Sequence, residues 1–163
     1  MSATTSTLVP SQTLQLSATA KDISGQVLSR TFAWTSSDQA KATVSSSGMV
    51  SGVAPGTATI TAEVDGKSAT TIVTVLDGGV VSSIGTTLNL MSGGVQIIVP
   101  DSAVVTPINM SVVPSAAFAS DPRVVKGTPF DFGPSGTTFA KPITLRIKYD
   151  PANLPPGTEE AAL

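Results

Sequence analysis

Residues 33–52 read AWTSSDQAKATVSSSGMVSG. The stretch is crowded with hydroxyls and carries Asp38, Lys41 and the only Trp of the chain, Trp34. Two readings compete for it. A nucleophilic serine needs a base held within hydrogen-bond reach. Lys41 is the sole local candidate, and the Ser-x-x-Lys spacing of Ser-Lys enzymes is absent. Short polar side chains that follow an apolar strand instead bond to nearby amides and set a turn. The missing base decides for the turn. The stretch is therefore strand, turn, strand, and its neighbours on both sides carry the same signal.

Period-two alternation runs through the chain. In TLQLSATA, Leu14, Leu16, Ala18 and Ala20 share one face, and in TATITAEV Ala58, Ile60, Ala62 and Val64 do. In ITLRIKY the inward set is Ile143, Leu145, Ile147 and Tyr149, with Thr144, Arg146 and Lys148 outward. One buried and one wet face is the mark of antiparallel sheets. Turn signals separate the strands: Ser24-Gly25, Ser47-Gly48, Pro55-Gly56, Asp65-Gly66, Ser92-Gly93-Gly94 and Pro134-Ser135-Gly136. SAAFAS (115–120) is too short for an amphipathic helix.

Composition narrows the function classes. The 163 residues are 40% hydrophobic and 12% charged with a net charge of −2, so neither nucleic acid nor an anionic membrane surface is favoured. The absence of Cys excludes disulfides and thiolate metal sites. The absence of His removes the commonest general base and transition-metal ligand. The absence of Cys fits the cytosol and many exported bacterial proteins alike. No apolar run of about 18 residues is present, so no segment is expected to insert into a membrane. The opening MSATTSTLVPSQ lacks the basic and apolar regions of a signal peptide and reads as the cut edge of a longer protein.

A seam falls at LDGGVVSS (76–83), with Asp77-Gly78-Gly79 as a short linker or hinge. The expected architecture is all-β: two tandem antiparallel β-sandwich domains over 1–77 and 78–163, each large enough for a modest core. Its structural core is expected at Phe32, Trp34 and Ile60 in the first and at Phe130, Phe132, Phe139 and Tyr149 in the second.

The first half resembles the bacterial immunoglobulin-like domain, group 2. The residues that carry the likeness are Trp34-Thr35-Ser36-Ser37-Asp38, Ala42-Thr43-Val44, Gly48-Met49-Val50-Ser51-Gly52, Gly56-Thr57-Ala58-Thr59-Ile60-Thr61-Ala62 and Val73-Thr74-Val75. The resemblance implies an immunoglobulin-like sandwich. That family has a further strand at its start, which SATTSTLVPSQ is expected to shorten or lack. Residues 85–151 resemble the module shared by zonula occludens proteins, netrin receptors and ankyrins. Here the likeness rests on Ser92-Gly93-Gly94-Val95, Ile97-Ile98-Val99-Pro100, Ala103, and the run Phe130-Asp131-Phe132-Gly133-Pro134-Ser135-Gly136 through Phe139 and Pro142-Ile143-Thr144-Leu145. Some members cut themselves at His-Phe-Ser. This chain has no His, and Ala119 follows Phe118, so self-cleavage is not implied. The chain stops at EEAAL, where that family continues with another strand.

Sharper sites are weaker. Asp65, Asp77 and Asp101 are isolated turn carboxylates without the Asp-x-Asp run a calcium loop favours, so no metal or other cofactor is expected. Lys21, Lys141 and Lys148 lie near strands but show no partner for an isopeptide cross-link. Asn109-Met110-Ser111 is a chance sequon in a bacterial protein. Arg123, Lys126, Arg146 and Lys148 read as solvated surface. The expected function is a non-catalytic structural and adhesive segment of a larger exported bacterial surface protein, extracellular or at the cell surface. The alternative is a protein-binding module that uses a sheet face or edge, including one on a phage virion. The partner, protein or surface glycan, is left open, and weak self-association through strand edges is expected.

Overall fold

The computed structural model describes residues 5–115, 125, 129–154 and 157. The chain divides into two compact units, Met1–Leu76 and Asp77–Leu163. Among the described residues the elements are strands and two short 3₁₀ turns, and every strand pairing is antiparallel except one. The expected all-β architecture is what the structure shows.

In unit 1 the strands are β1 (Thr5–Leu8), β2 (Thr13–Gln15), β3 (Ala20–Lys21), β4 (Val27–Leu28), β5 (Ala33–Ser36), β6 (Ala42–Val44), β7 (Met49–Gly52), β8 (Gly56–Val64) and β9 (Lys67–Val75). One sheet has the order β1-β9-β8-β5, a second β2-β7-β6, and β3-β4 form a small hairpin. The organising piece is the hairpin β8–β9, nine residues in each strand, closed by Asp65-Gly66, both at positive φ. Two consecutive left-handed residues are what a two-residue hairpin turn demands, and Asp-Gly supplies them cheaply. The core between the sheets holds Leu8, Ala42, Val50, Ala58, Ile60, Val73 and Val75, with Leu14, Leu16, Trp34 and Val44 packed against it.

The opening segment, expected to be shortened or missing as a strand, forms a strand of four residues. Thr5–Leu8 runs parallel to β9, with Thr5 opposite Ile72 and Leu8 opposite Val75. The chain then crosses to the other sheet through Val9–Gln12. Gln12 N donates to Val9 O at 3.1 Å, and Val9 N donates to Gln12 Oε1 at 3.0 Å. One segment thus belongs to both sheets, because Pro10 and the left-handed Ser11 break the strand between them.

In unit 2 the strands are β10 (Asp77–Val81), β11 (Thr86–Leu90), β12 (Val95–Val99), β13 (Ile108–Pro114), β14 (Phe130–Gly133) and β15 (Thr144–Ile147). They form two sheets, β10-β13-β14 and β11-β12-β15. Val81, Leu90, Val95, Ile97, Val99, Ala103, Val104, Met110 and Val112 are buried. Phe130, Phe132 and Phe139 are half-buried against them, and the Phe130 and Phe132 rings meet edge to face at 6.5 Å.

Several expectations need correction. Asp77-Gly78-Gly79 is not a linker but the start of β10, paired with Val112, Ser111 and Met110. Only Leu76 separates β9 from β10. Glycine tolerates a strand here because Gly79 faces Leu88, whose Cδ2 would lie 2.8 Å from an added Cβ. Phe32 is half-buried but stands outside the core cluster, beside Leu28 and Val64 in a surface cleft. Leu145 faces Ile97 as the alternation requires, yet is 44% exposed because β15 is an edge strand. Tyr149 is half-buried and lies after β15, not within it. Phe118 and SAAFAS beyond Ser115 lie outside the described residues.

Candidate functional site

The hydroxyl-rich stretch 36–42 is the natural place to look for chemistry, and its geometry is that of a turn. Ser36, the last residue of β5, donates its Oγ proton to Ala42 O at 2.6 Å and accepts from Asp38 N at 3.3 Å. Asp38 Oδ1 accepts from Ala40 N at 2.9 Å, while Asp38 O accepts from Lys41 N and Ala42 N. Ser37 Oγ accepts from Thr59 N at 2.8 Å, and Ser37 N donates to Thr59 O at 2.9 Å. Ser37 therefore ties the loop to β8 just past the end of the β5·β8 ladder. Each hydroxyl proton or carboxylate oxygen named here serves a main-chain partner. A proton committed to a carbonyl is not one poised for transfer to a base.

Lys41 is turned to structural use as well. Its carbonyl accepts from Val53 N at 2.8 Å and Ala54 N at 3.3 Å, and its stem lies across Gly56. A Cβ on Gly56 would meet Lys41 Cδ at 2.8 Å. Trp34 is half-buried on the core and packs closely against Gly48. An added Cβ there would come within 2.8 Å of both Trp34 Cζ2 and Leu16 O, and φ is +83°. Glycine is required at 48 on both counts. Gly52 is required by approach alone, since its missing Cβ would stand 2.7 Å from Val9 O.

The remaining candidates are dispersed. Asp65 pairs with Arg30 at 3.0 Å, both side chains exposed. Asp77 Oδ2 accepts from Met91 N at 2.7 Å, fixing the turn between β11 and β12. Asp101 lies 3.6 Å from Lys141, whose Nζ also donates to Asp101 O at 2.8 Å. The ion pair is exposed, not the buried pairing an isopeptide bond needs. Asn109 stands in β13 opposite Val80. Arg146 donates to Gln96 Oε1 at 3.1 Å, and Gln96 donates to Asn89 Oδ1 at 2.9 Å. These three residues form one row across β15, β12 and β11 on the exposed face of unit 2. Arg123 and Lys126 lie outside the described residues.

Three clefts are open to solvent among the described residues. The first, about 600 Å³, lies in unit 1 between Leu16–Thr19 and the inner face of β8 and β9, beside Trp34, Ile60 and Ala62. A second, about 330 Å³, lies in unit 2 beside Phe132, Phe139 and Leu145. Both are mainly apolar. The third, about 380 Å³, is the unit 1 cleft beside Phe32, and its lining includes Lys21, Asp65, Lys67 and Ser68. Its carboxylate is engaged in the 3.0 Å pair with Arg30.

Residues 1–75 match the family model of the bacterial Ig-like domain (group 2). The match spans unit 1 as far as Val75 and includes the segment that forms β1. The matched residues include Trp34, Gly48 and Gly52. Domains of this family are typically structural and adhesive modules of surface proteins and typically non-catalytic. No curated protein matches the chain.

Proposed function

We propose that this chain is a non-catalytic structural and adhesive segment of an exported bacterial surface protein, spacing or presenting other domains outside the cell. The observation that carries the reading is the turn at 36–42, where the candidate reactive side chains hold main-chain groups in place. The family match over unit 1 agrees with it. Unit 2 is proposed to be a sandwich of the kind shared by zonula occludens proteins, netrin receptors and ankyrins. Support comes from the tight turn at Pro134–Gly136, the packing of Phe139 on the core, the buried Ala103 and the position of Pro142 just before β15. Contacts with a protein or surface glycan would use a sheet face or edge. Among the described residues β1 and β5 are the outermost strands of unit 1's larger sheet, and weak self-association through them is read by light scattering against concentration.

The test is protease shaving of intact cells of the source organism, with antibody detection of this segment. The segment is expected among the released peptides. Recovery only from the cytosol would sink the surface reading. Recovery from phage particles would replace it with the virion-borne alternative.

A further inference from the structure

We infer that unit 1 is a mechanical element, in which the short parallel ladder between β1 and β9 resists tension applied along the chain. The inference rests on strand direction alone, so it stands whether a cell or a virion carries the protein. The first strand of the unit starts at Thr5 and its last strand ends at Val75. Because β1 and β9 run parallel, these two points lie at opposite ends of one ladder. Pulling them apart drives the strands past each other along their own axes. Every rung is then strained together, whereas two strands entering and leaving at the same end open one rung at a time.

The surroundings of the ladder reinforce this. Leu76 N donates to Leu8 O at 2.8 Å and extends it past the last paired residue. Leu8 and Val9 are each 3% exposed, so sliding β1 also draws two apolar side chains from the core. Behind them, Ser11 N donates to Gly52 O and Gly52 N donates to Gln12 O, each at 2.9 Å. This hook sits where glycine lets the two backbones touch. On its other side β9 is held by nine residues of β8, so the four-residue ladder is the shorter grip and sets the yield force. A single residue, Leu76, stands between β9 and β10, and it can lengthen by no more than about 3.5 Å. Pull from beyond unit 1 therefore reaches Val75 with little slack.

Strand geometry also supplies a matched control. Along a strand, successive residues turn their amides to alternate sides. Since Leu8 O faces Leu76 N, the Ser6 amide faces β9 and the Thr7 amide faces away. The chain has no cysteine, so paired cysteines provide unique handles for single-molecule force spectroscopy on the full chain. Handles at Thr5→Cys and Leu76→Cys shear the ladder. Handles at Thr5→Cys and Thr35→Cys pull across the same sheet, from β1 at one edge to β5 at the other, and peel β1 from its end. The shear pair is expected to yield at no less than about twice the force of the peel pair at equal loading rate, because the rungs share the load. Ser6→Pro should bring the shear force down toward the peel value, and Thr7→Pro should leave it unchanged. Equal forces in the two directions, or full shear resistance in the Ser6→Pro chain, would overturn the inference. Should the Ser6→Pro chain fail to fold, the two directions compared in the chain without either proline still decide it.

Discussion

Unit 1 and unit 2 are both sandwiches without a disulfide, but they specify their cores differently. Both cores are built mainly of aliphatic side chains, Val50, Ile60, Val73 and Val75 in unit 1 and Val95, Ile97, Val99 and Val112 in unit 2. They differ in their aromatics. Unit 1 sets one aromatic, Trp34, on its core, and that ring is seated on one glycine. Unit 2 spreads Phe130, Phe132 and Phe139, each half-covered, over its rim. One ring against one glycine hangs the shape of a core on a single contact. Several rings share the task among near-equivalent contacts. The first kind leaves a recognisable motif in the sequence, and the second leaves only an alternation.

The largest expected effects test whether the units are separate. Ile60→Ala and Ile97→Ala remove side chains that are 1% and 0% exposed, and each should cost about 4 kcal/mol. In calorimetry each should lower one transition and leave the other in place. A common shift of both transitions would mean one cooperative body and would dissolve the comparison.

Next come the paired contacts that set unit 1 apart. Trp34→Ala should cost about 3 kcal/mol. Gly48→Ala should cost about 2 kcal/mol through its left-handed φ and the approach of Trp34 and Leu16. The double substitution should cost less than the sum, because truncating Trp34 opens the space that the new methyl needs. Strict additivity in chemical denaturation would show that Trp34 and Gly48 do not depend on each other.

Ser36→Ala is a smaller change. It removes a donor to Ala42 O and an acceptor for Asp38 N, and about 1–2 kcal/mol should follow from the loss. Denaturant melts followed by Trp34 fluorescence read unit 1 alone, since the chain has no other Trp. An unchanged midpoint would mean that the serine is dispensable to the turn and reopen the question of what it does.

The smallest effect lies in the β3–β4 hairpin. Asp22 accepts from the Ser24 hydroxyl at 2.7 Å and from the Gln26 and Ser24 amides at 2.9 and 2.8 Å. These bonds, the Ser24 hydroxyl first, hold its carboxyl below the ordinary 3.8. A depressed carboxylate stabilises the folded form above its unfolded value, and this is lost as pH falls through the folded value. NMR titration should place the Asp22 midpoint below 3.8, with Ser24→Ala moving it upward more than any other single change. A midpoint unmoved by Ser24→Ala would remove the hydroxyl from the account.

Much of unit 1 was legible in the sequence because its constraints are local. Trp-x-Ser-Ser-Asp and the Asp65-Gly66 turn each fix backbone within a few residues. The phase of TATITAEV also held, with Ala58, Ile60 and Ala62 all buried. What could not be read depends on partners far along the chain. Nothing in SATTSTLVPSQ announces a strand, since Thr5–Leu8 becomes one only by lying against Ile72–Val75. Asp77-Gly78-Gly79 has the composition of a hinge and is a strand only because Met110–Val112 lies beside it. The inward phase of Phe32 and Leu145 was legible too, but how far each is covered depends on neighbouring elements.

The segment between β1 and β2 also bears on timing. The strand made first, β1, takes as its partner the strand made last, β9, so unit 1 cannot close until its whole length has been delivered. Contacts so distant along the chain form slowly. Ribosomes deliver about 5–20 residues per second, so for several seconds Leu8 and Val9 have no core to enter. A chain of this topology stays open while it is being fed through a narrow passage, and it locks only once the far end has emerged.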